Sequence, residues 1–78
     1  MTQDTFTLRP TDEYIELVQL LKVKDIAQSG GHAKIIVEEG AVKVNGEQEF
    51  RKRKKLRPGD VVELEQVSIS IAAPPESN

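Results

Sequence analysis

The sequence predicts a small mixed domain with helices first and strands after. Three observations carry this reading. Residues 14–21 repeat apolar side chains at helical spacing. Residues 29–40 read as a second helix with its own start and stop signals. Past Gly40 the apolar residues alternate instead, in short runs broken by Asn45-Gly46 and by Arg57-Pro58-Gly59-Asp60. A chain of 78 residues makes one small domain. Its 6 Leu, 6 Ile, 8 Val and 2 Phe amount to 22 of 78 residues. That lies above the ~20% level below which disorder is expected, so a small core should form.

Residues 1–5 are polar and are expected to be a flexible N-terminus. Phe6-Thr7-Leu8 alternates like a short strand, and Pro10 ends it by forcing Arg9 into extended geometry. Thr11 is placed to cap a helix, with Asp12 and Glu13 at the positive end of its dipole. Tyr14, Leu17, Val18 and Leu21 then recur at i, i+3, i+4 and i+7, which predicts helix 1 over residues 12–22.

Residues 23–28 connect the helices, with Ile26 as an anchor. Ser29 is the expected N-cap of helix 2. Ala33, Ile36 and Val37 form its buried face, Ile35 falls off that face, and Gly40 suits the C′ position. Val42-Lys43-Val44 alternates as a strand. Asn45-Gly46 is a strong hairpin signal, because both central residues of a type I′ turn need positive φ. Residues 47–49 should return antiparallel, and Phe50 is expected to anchor in the core. Pro58-Gly59 fits the centre of a second turn. Residues 61–65 and 67–71 follow as strands, with Val67, Ile69 and Ile71 on one face. The domain is expected to span residues 6–73, with 74–78 a disordered tail.

Several function classes find no support. The chain has no cysteine, and its single histidine cannot build a multi-His metal site. No Walker-type loop or other cofactor motif is present. Carboxylates are plentiful, but none is paired with a nucleophile or base, so an enzyme is not expected. No apolar run approaches the ~18 residues of a membrane span, and the N-terminus lacks a secretory pattern. A cytoplasmic protein is the expectation.

Net charge is −2, but its distribution is uneven. Residues 1–30 carry three cations against five anions, residues 31–60 eight against five, and residues 61–78 none against three. The centre of that imbalance is Arg51-Lys52-Arg53-Lys54-Lys55. Adjacent cations repel, and a core-facing ammonium is costly. The run is therefore expected on an edge or in an irregular connection, with a polyanion as its partner. The plainer alternative is a solvated charge run. A second candidate is the start of helix 2. Ser29, Gly30 and Gly31 leave backbone N–H groups open at a positive dipole end, with His32 and Lys34 close behind. The plainer alternative there is an ordinary capped helix.

The order Ser29-Gly30-Gly31-His32-Ala33-Lys34, then Glu39-Gly40-x-Val42-x-Val44-Asn45-Gly46, then Arg57-Pro58-Gly59-Asp60-Val61-Val62 resembles the S4 RNA-binding domain. The match covers roughly residues 11–65, and the whole chain is similar to the small, free-standing S4-like proteins of bacteria. The resemblance implies an α+β, S4-like (αL) fold: two packed helices followed by a small, mainly antiparallel sheet. It also implies binding of structured RNA by one surface. Carried over by position, that surface holds Ser29, Gly30, Gly31, His32 and Lys34 on the helix, Lys43 on the next strand, and Arg51, Lys52, Arg53, Lys54 and Lys55 beyond the hairpin. The chain departs from the family pattern in two places. Gly30-Gly31-His32 stands where arginines are frequent, and Glu38-Glu39 makes the helix end acidic. Both shift the expected affinity onto residues 51–55.

The expected function is therefore an RNA-binding module acting as a monomer, with ribosomal RNA or a pre-ribosomal particle as partner by family analogy. The three aromatic residues, Phe6, Tyr14 and Phe50, sit in core-like contexts. Recognition led by shape and phosphate is thus expected over base stacking. A protein-interaction module on the same fold, with its surface near Ile35, is the alternative.

Overall fold

The sheet runs in the order Thr2–Thr7, Val67–Ala72, Val61–Leu64, Val42–Val44, Glu47–Gln48, so the first strand lies beside the last. The computed structural model describes residues 2–75. Its elements in chain order are β1 (Thr2–Thr7), β2 (Ile15–Glu16), α1 (Leu17–Val23), α2 (Gly30–Glu38), β3 (Val42–Val44), β4 (Glu47–Gln48), β5 (Lys55–Leu56), β6 (Val61–Leu64) and β7 (Val67–Ala72). β2 and β5 form a separate two-stranded ladder. No helix among the described residues is long and apolar enough to cross a membrane.

The alternation in the C-terminal half decides which side of the sheet meets the core. Val44 pairs with Val62 and Val62 with Ile69, so one row of buried side chains crosses three strands. Val42, Leu64 and Val67 make the next row. Leu17, Leu20 and Leu21 of α1 and Ala33 and Val37 of α2 join the same hydrophobic cluster. Since α1 contributes i, i+3 and i+4, its buried stripe has the width that apolar burial needs.

The local signals hold where they are local. Ser29 caps α2, its Oγ accepting from the His32 backbone N–H at 3.1 Å. Gly40 follows α2 at φ 77°, and Asn45 and Gly46 have φ 54° and 85°, as a type I′ turn requires. Gly59 has φ 98° in the second turn.

Four expectations are corrected. Helix 1 starts at Leu17 rather than residue 12, because Ile15 and Glu16 pair antiparallel with Leu56 and Lys55. Thr11 is therefore not its cap. Residues 2–5, expected to be flexible, belong to β1, which pairs in parallel with β7 along its length. That makes the sheet mixed, although its other ladders are antiparallel. Lys24 holds β1 to the end of α1, its Nζ 3.0 Å from both the Thr5 carbonyl and the Asp4 carboxylate. Finally, Phe50 is not a core anchor but 54% exposed. Glu49 is the half-buried residue there, and successive side chains of extended backbone leave on opposite sides. Of the tail expected at 74–78, residues 76–78 lie outside the described residues.

Candidate nucleic-acid interface

The basic run crosses the start of α1 as an irregular loop that enters β5. The Leu17 N–H donates to the Lys54 carbonyl at 2.9 Å, and the Val18 N–H donates to the Lys52 carbonyl at 3.2 Å. The first N–H groups of a helix lack partners within it. Here the loop backbone supplies them, while Glu16 at the N-cap makes no side-chain cap. The Glu16 carboxylate instead approaches Arg53 Nε at 3.3 Å. Carbonyls thus turn inward and cationic side chains turn outward.

Three acids hold three of the cations. Glu49 takes Arg51 in a two-pronged pair, at 2.9 Å from Nε and 3.1 Å from the terminal nitrogen, and also accepts from the Arg51 backbone N–H at 3.0 Å. Those hydrogen bonds from Arg51, against a smaller opposing effect of burial, pull the Glu49 carboxyl down to about 2. Glu16 holds Arg53, and Glu38 of α2 lies 3.5 Å from Lys52 Nζ. Among the described residues, Lys54, Lys55 and Arg57 form no ion pair. Lys55 and Arg57 instead lie over the Tyr14 ring, 5.0 and 5.7 Å from its centroid. Arg51, Arg53, Lys54, Lys55 and Arg57 line one open depression.

Arg57 is the residue that sequence reasoning missed, having read it only as the start of a turn. The signal was available, since it extends the period-two row of 51, 53 and 55 by one step. Its backbone is held by Asp60, whose Oδ2 accepts from the Arg57 N–H at 2.8 Å. Burial pushes the Asp60 carboxyl up. The bonds from Arg57 and Asn45 and the nearby Lys54 and Arg57 charges outweigh it, so the net shift is downward.

The start of α2 is a separate part of the surface. His32 is engaged locally, its Nδ1 accepting from the Gln28 N–H at 3.2 Å. A Cβ at Gly30 would meet nothing within 4 Å, and one at Gly31 only Ser29 Oγ at 3.9 Å. Packing therefore does not demand glycine at either position. Lys34 is exposed and stands four residues before Glu38, so both share one helix face. Through Glu38 that face reaches Lys52. Among the described residues, no hydrogen bond or ion pair joins residues 29–34 directly to the basic run. Lys43 points outward from β3, opposite Gln48 of β4 and Glu63 of β6.

Comparison with known proteins shows the family and the fold. The S4 domain family matches residues 8–72. The chain belongs to that family. YbcJ of Escherichia coli (strain K12) is 42% identical over 60 residues, covering 77% of this chain and 86% of YbcJ. The solution structure of E. coli YbcJ aligns with a TM-score of 0.67 and 40% identity, over 88% of this chain and 86% of that one. It is described as revealing an αL motif involved in RNA binding. The "Probable ribosome maturation protein RlbA" of Bacillus subtilis (strain 168) is 51% identical over 53 residues, 68% of this chain and 75% of RlbA. The S4 fold expected from the sequence thus stands, as two helices with a mixed sheet.

Proposed function

We propose that this S4 domain binds structured RNA, with ribosomal RNA or a pre-ribosomal particle as its target. The observation that carries the reading is the depression lined by Arg51, Arg53, Lys54, Lys55 and Arg57 in a chain whose net charge is −2. Cations held together against mutual repulsion suit a ligand with closely spaced phosphates. Lys52, Lys34 and the Ser29–His32 turn extend the surface along α2, and Lys43 adds a cation on the sheet. Backbone amides at Gly30 and Gly31 contribute where a phosphate comes close. The names of the two relatives, one tied to RNA and one to ribosome maturation, favour the same target. The domain works by binding rather than by catalysis, as a cytoplasmic monomer.

The test is a titration of folded ribosomal RNA fragments at several salt concentrations. The logarithm of affinity should fall linearly with the logarithm of salt, by about 0.7–0.9 per phosphate contacted. Lys54→Glu with Lys55→Glu should weaken binding and flatten that slope. Association that ignores salt would count against the proposal.

A protein partner is the second reading, favoured by Ile35, which is 56% exposed on α2. An Ile35→Glu change that breaks a partner complex, where Lys52→Glu does not, would favour it.

A further inference from the structure

We infer that Phe50 is a stacking platform for an unpaired base of the bound RNA, so that the surface selects RNA with a bulged or looped-out nucleotide. The inference rests on the RNA-binding proposal and goes beyond its phosphate contacts.

Phe50 directly precedes Arg51 and is 54% exposed. Much of this apolar residue is left in water, one residue along the chain from the basic run. A nucleotide offers a π-face for the ring and a phosphate for the cations of the basic run.

The ring is also held in place before any ligand arrives. A Cβ at Gly40 would stand 3.1 Å from Phe50 Cε1, so the ring edge rests on the bare backbone at the end of α2. Gln48 lies against the same glycine, its Nε2 donating to the Gly40 carbonyl at 2.7 Å. The backbone on either side is tied down. The Glu49 N–H donates to the Val42 carbonyl at 2.9 Å, and the Arg51 N–H donates to the Glu49 carboxylate at 3.0 Å. A stacking platform needs this rigidity, because ordering a loose side chain would cancel much of the gain. Among the described residues, the neighbouring Gln48 amide has its second N–H and its carbonyl oxygen without a partner, and both suit the edge of the same base.

The other aromatic residues do not compete for the role. Tyr14 is half-buried beneath Lys55 and Arg57, and Phe6 packs against the core cluster.

The experiment compares two RNAs with equal numbers of phosphates, one fully paired and one with a single unpaired 2-aminopurine. The wild type should bind the second more tightly, by about 5- to 150-fold, and quench its fluorescence. Phe50→Ala and Phe50→Leu should abolish both effects while binding the paired RNA as before, and Phe50→Trp should keep both. Amide spectra of each variant establish that it is folded. If folded Phe50→Leu keeps the preference and the quenching, the inference fails and the ring serves something else, such as a protein partner. Equal binding of both RNAs by the wild type overturns this inference alone. Binding of neither at low salt overturns the RNA-binding proposal as well.

Discussion

Asn45 Nδ2 donates to Asp60 Oδ1 at 3.0 Å, joining the hairpin turn to the Pro-Gly turn across 15 residues. The remaining oxygens of both side chains are also engaged. Asn45 Oδ1 accepts from the Val61 N–H at 2.9 Å, and Asp60 Oδ2 accepts from the Arg57 N–H at 2.8 Å. Asn45 therefore has two duties: it accommodates a positive φ and it clamps β6. Either Asn45→Ala or Asp60→Ala should cost about 1–2 kcal/mol in urea unfolding. The double variant should cost less than the sum, since the two changes remove the same bond. Strict additivity would refute the clamp.

Gly30 and Gly40 should respond in opposite ways to alanine. Gly40→Ala forces a side chain into a left-handed residue, with Gln48 Nε2 2.5 Å from the new Cβ. Thermal unfolding should register a loss of about 2 kcal/mol. Gly30→Ala meets open space and reduces the freedom of the unfolded chain. It should leave stability equal or raise it by about 0.4–1 kcal/mol. RNA affinity should nevertheless fall, because the methyl group stands where a phosphate would approach the helix start.

Acid should loosen the domain through Glu49. Its carboxyl titrates near 2 when folded, against 4.5 as the ordinary value. A depressed folded value means stability that is complete above about pH 4.5 and is lost as pH falls through about 2. Asp4, Asp12 and Asp60 shift in the same direction. Urea midpoints followed down this window should drop for the wild type and drop less steeply for Glu49→Gln. Parallel curves would show that the Arg51 pair contributes nothing.

Glu38 should compete with RNA for Lys52 if the proposed surface is used. The pair is exposed and 3.5 Å long, so breaking it in the free protein costs little. Glu38→Gln should raise RNA affinity roughly two- to five-fold at low salt, with an unchanged melting curve. A weaker complex would mean that Glu38 positions Lys52 for the ligand.

Much of this could be read from the residues because it is decided nearby. Ser29, Gly40, Asn45-Gly46 and Pro58-Gly59 fix backbone geometry within a few positions, and the structure agrees at each. What could not be read depends on distant pairing. The polar residues 2–5 have no strand signature of their own and join Phe6 and Thr7 in β1 because β7 offers an open edge. Ile15 fits the helical stripe of α1 equally well until Leu56 takes it into a ladder. Phe50 misled for a related reason. Its apolar character suggested burial, but the half-buried Glu49 beside it settles which side faces inward. At the candidate interface the basic run was conspicuous, and the cost of core-facing ammonium groups pointed to an edge or an irregular connection; residues 51–54 form such a connection and Lys55 opens β5. The contribution of Arg57, and the acids that hold Arg51, Lys52 and Arg53, required the folded chain.

The carbonyls of Lys52 and Lys54 that receive the first amides of α1 bear on how the domain meets a partner. A stretch of adjacent cations would ordinarily be a tether sampling many shapes, and capturing it would freeze each of them out. Here the shape is set while the surface is empty, by a helix that cannot complete its first turn without it. Docking should therefore approach rigid-body association, fast and with little entropic penalty. Exchange of the Leu17 and Val18 amide protons should report any opening of this loop.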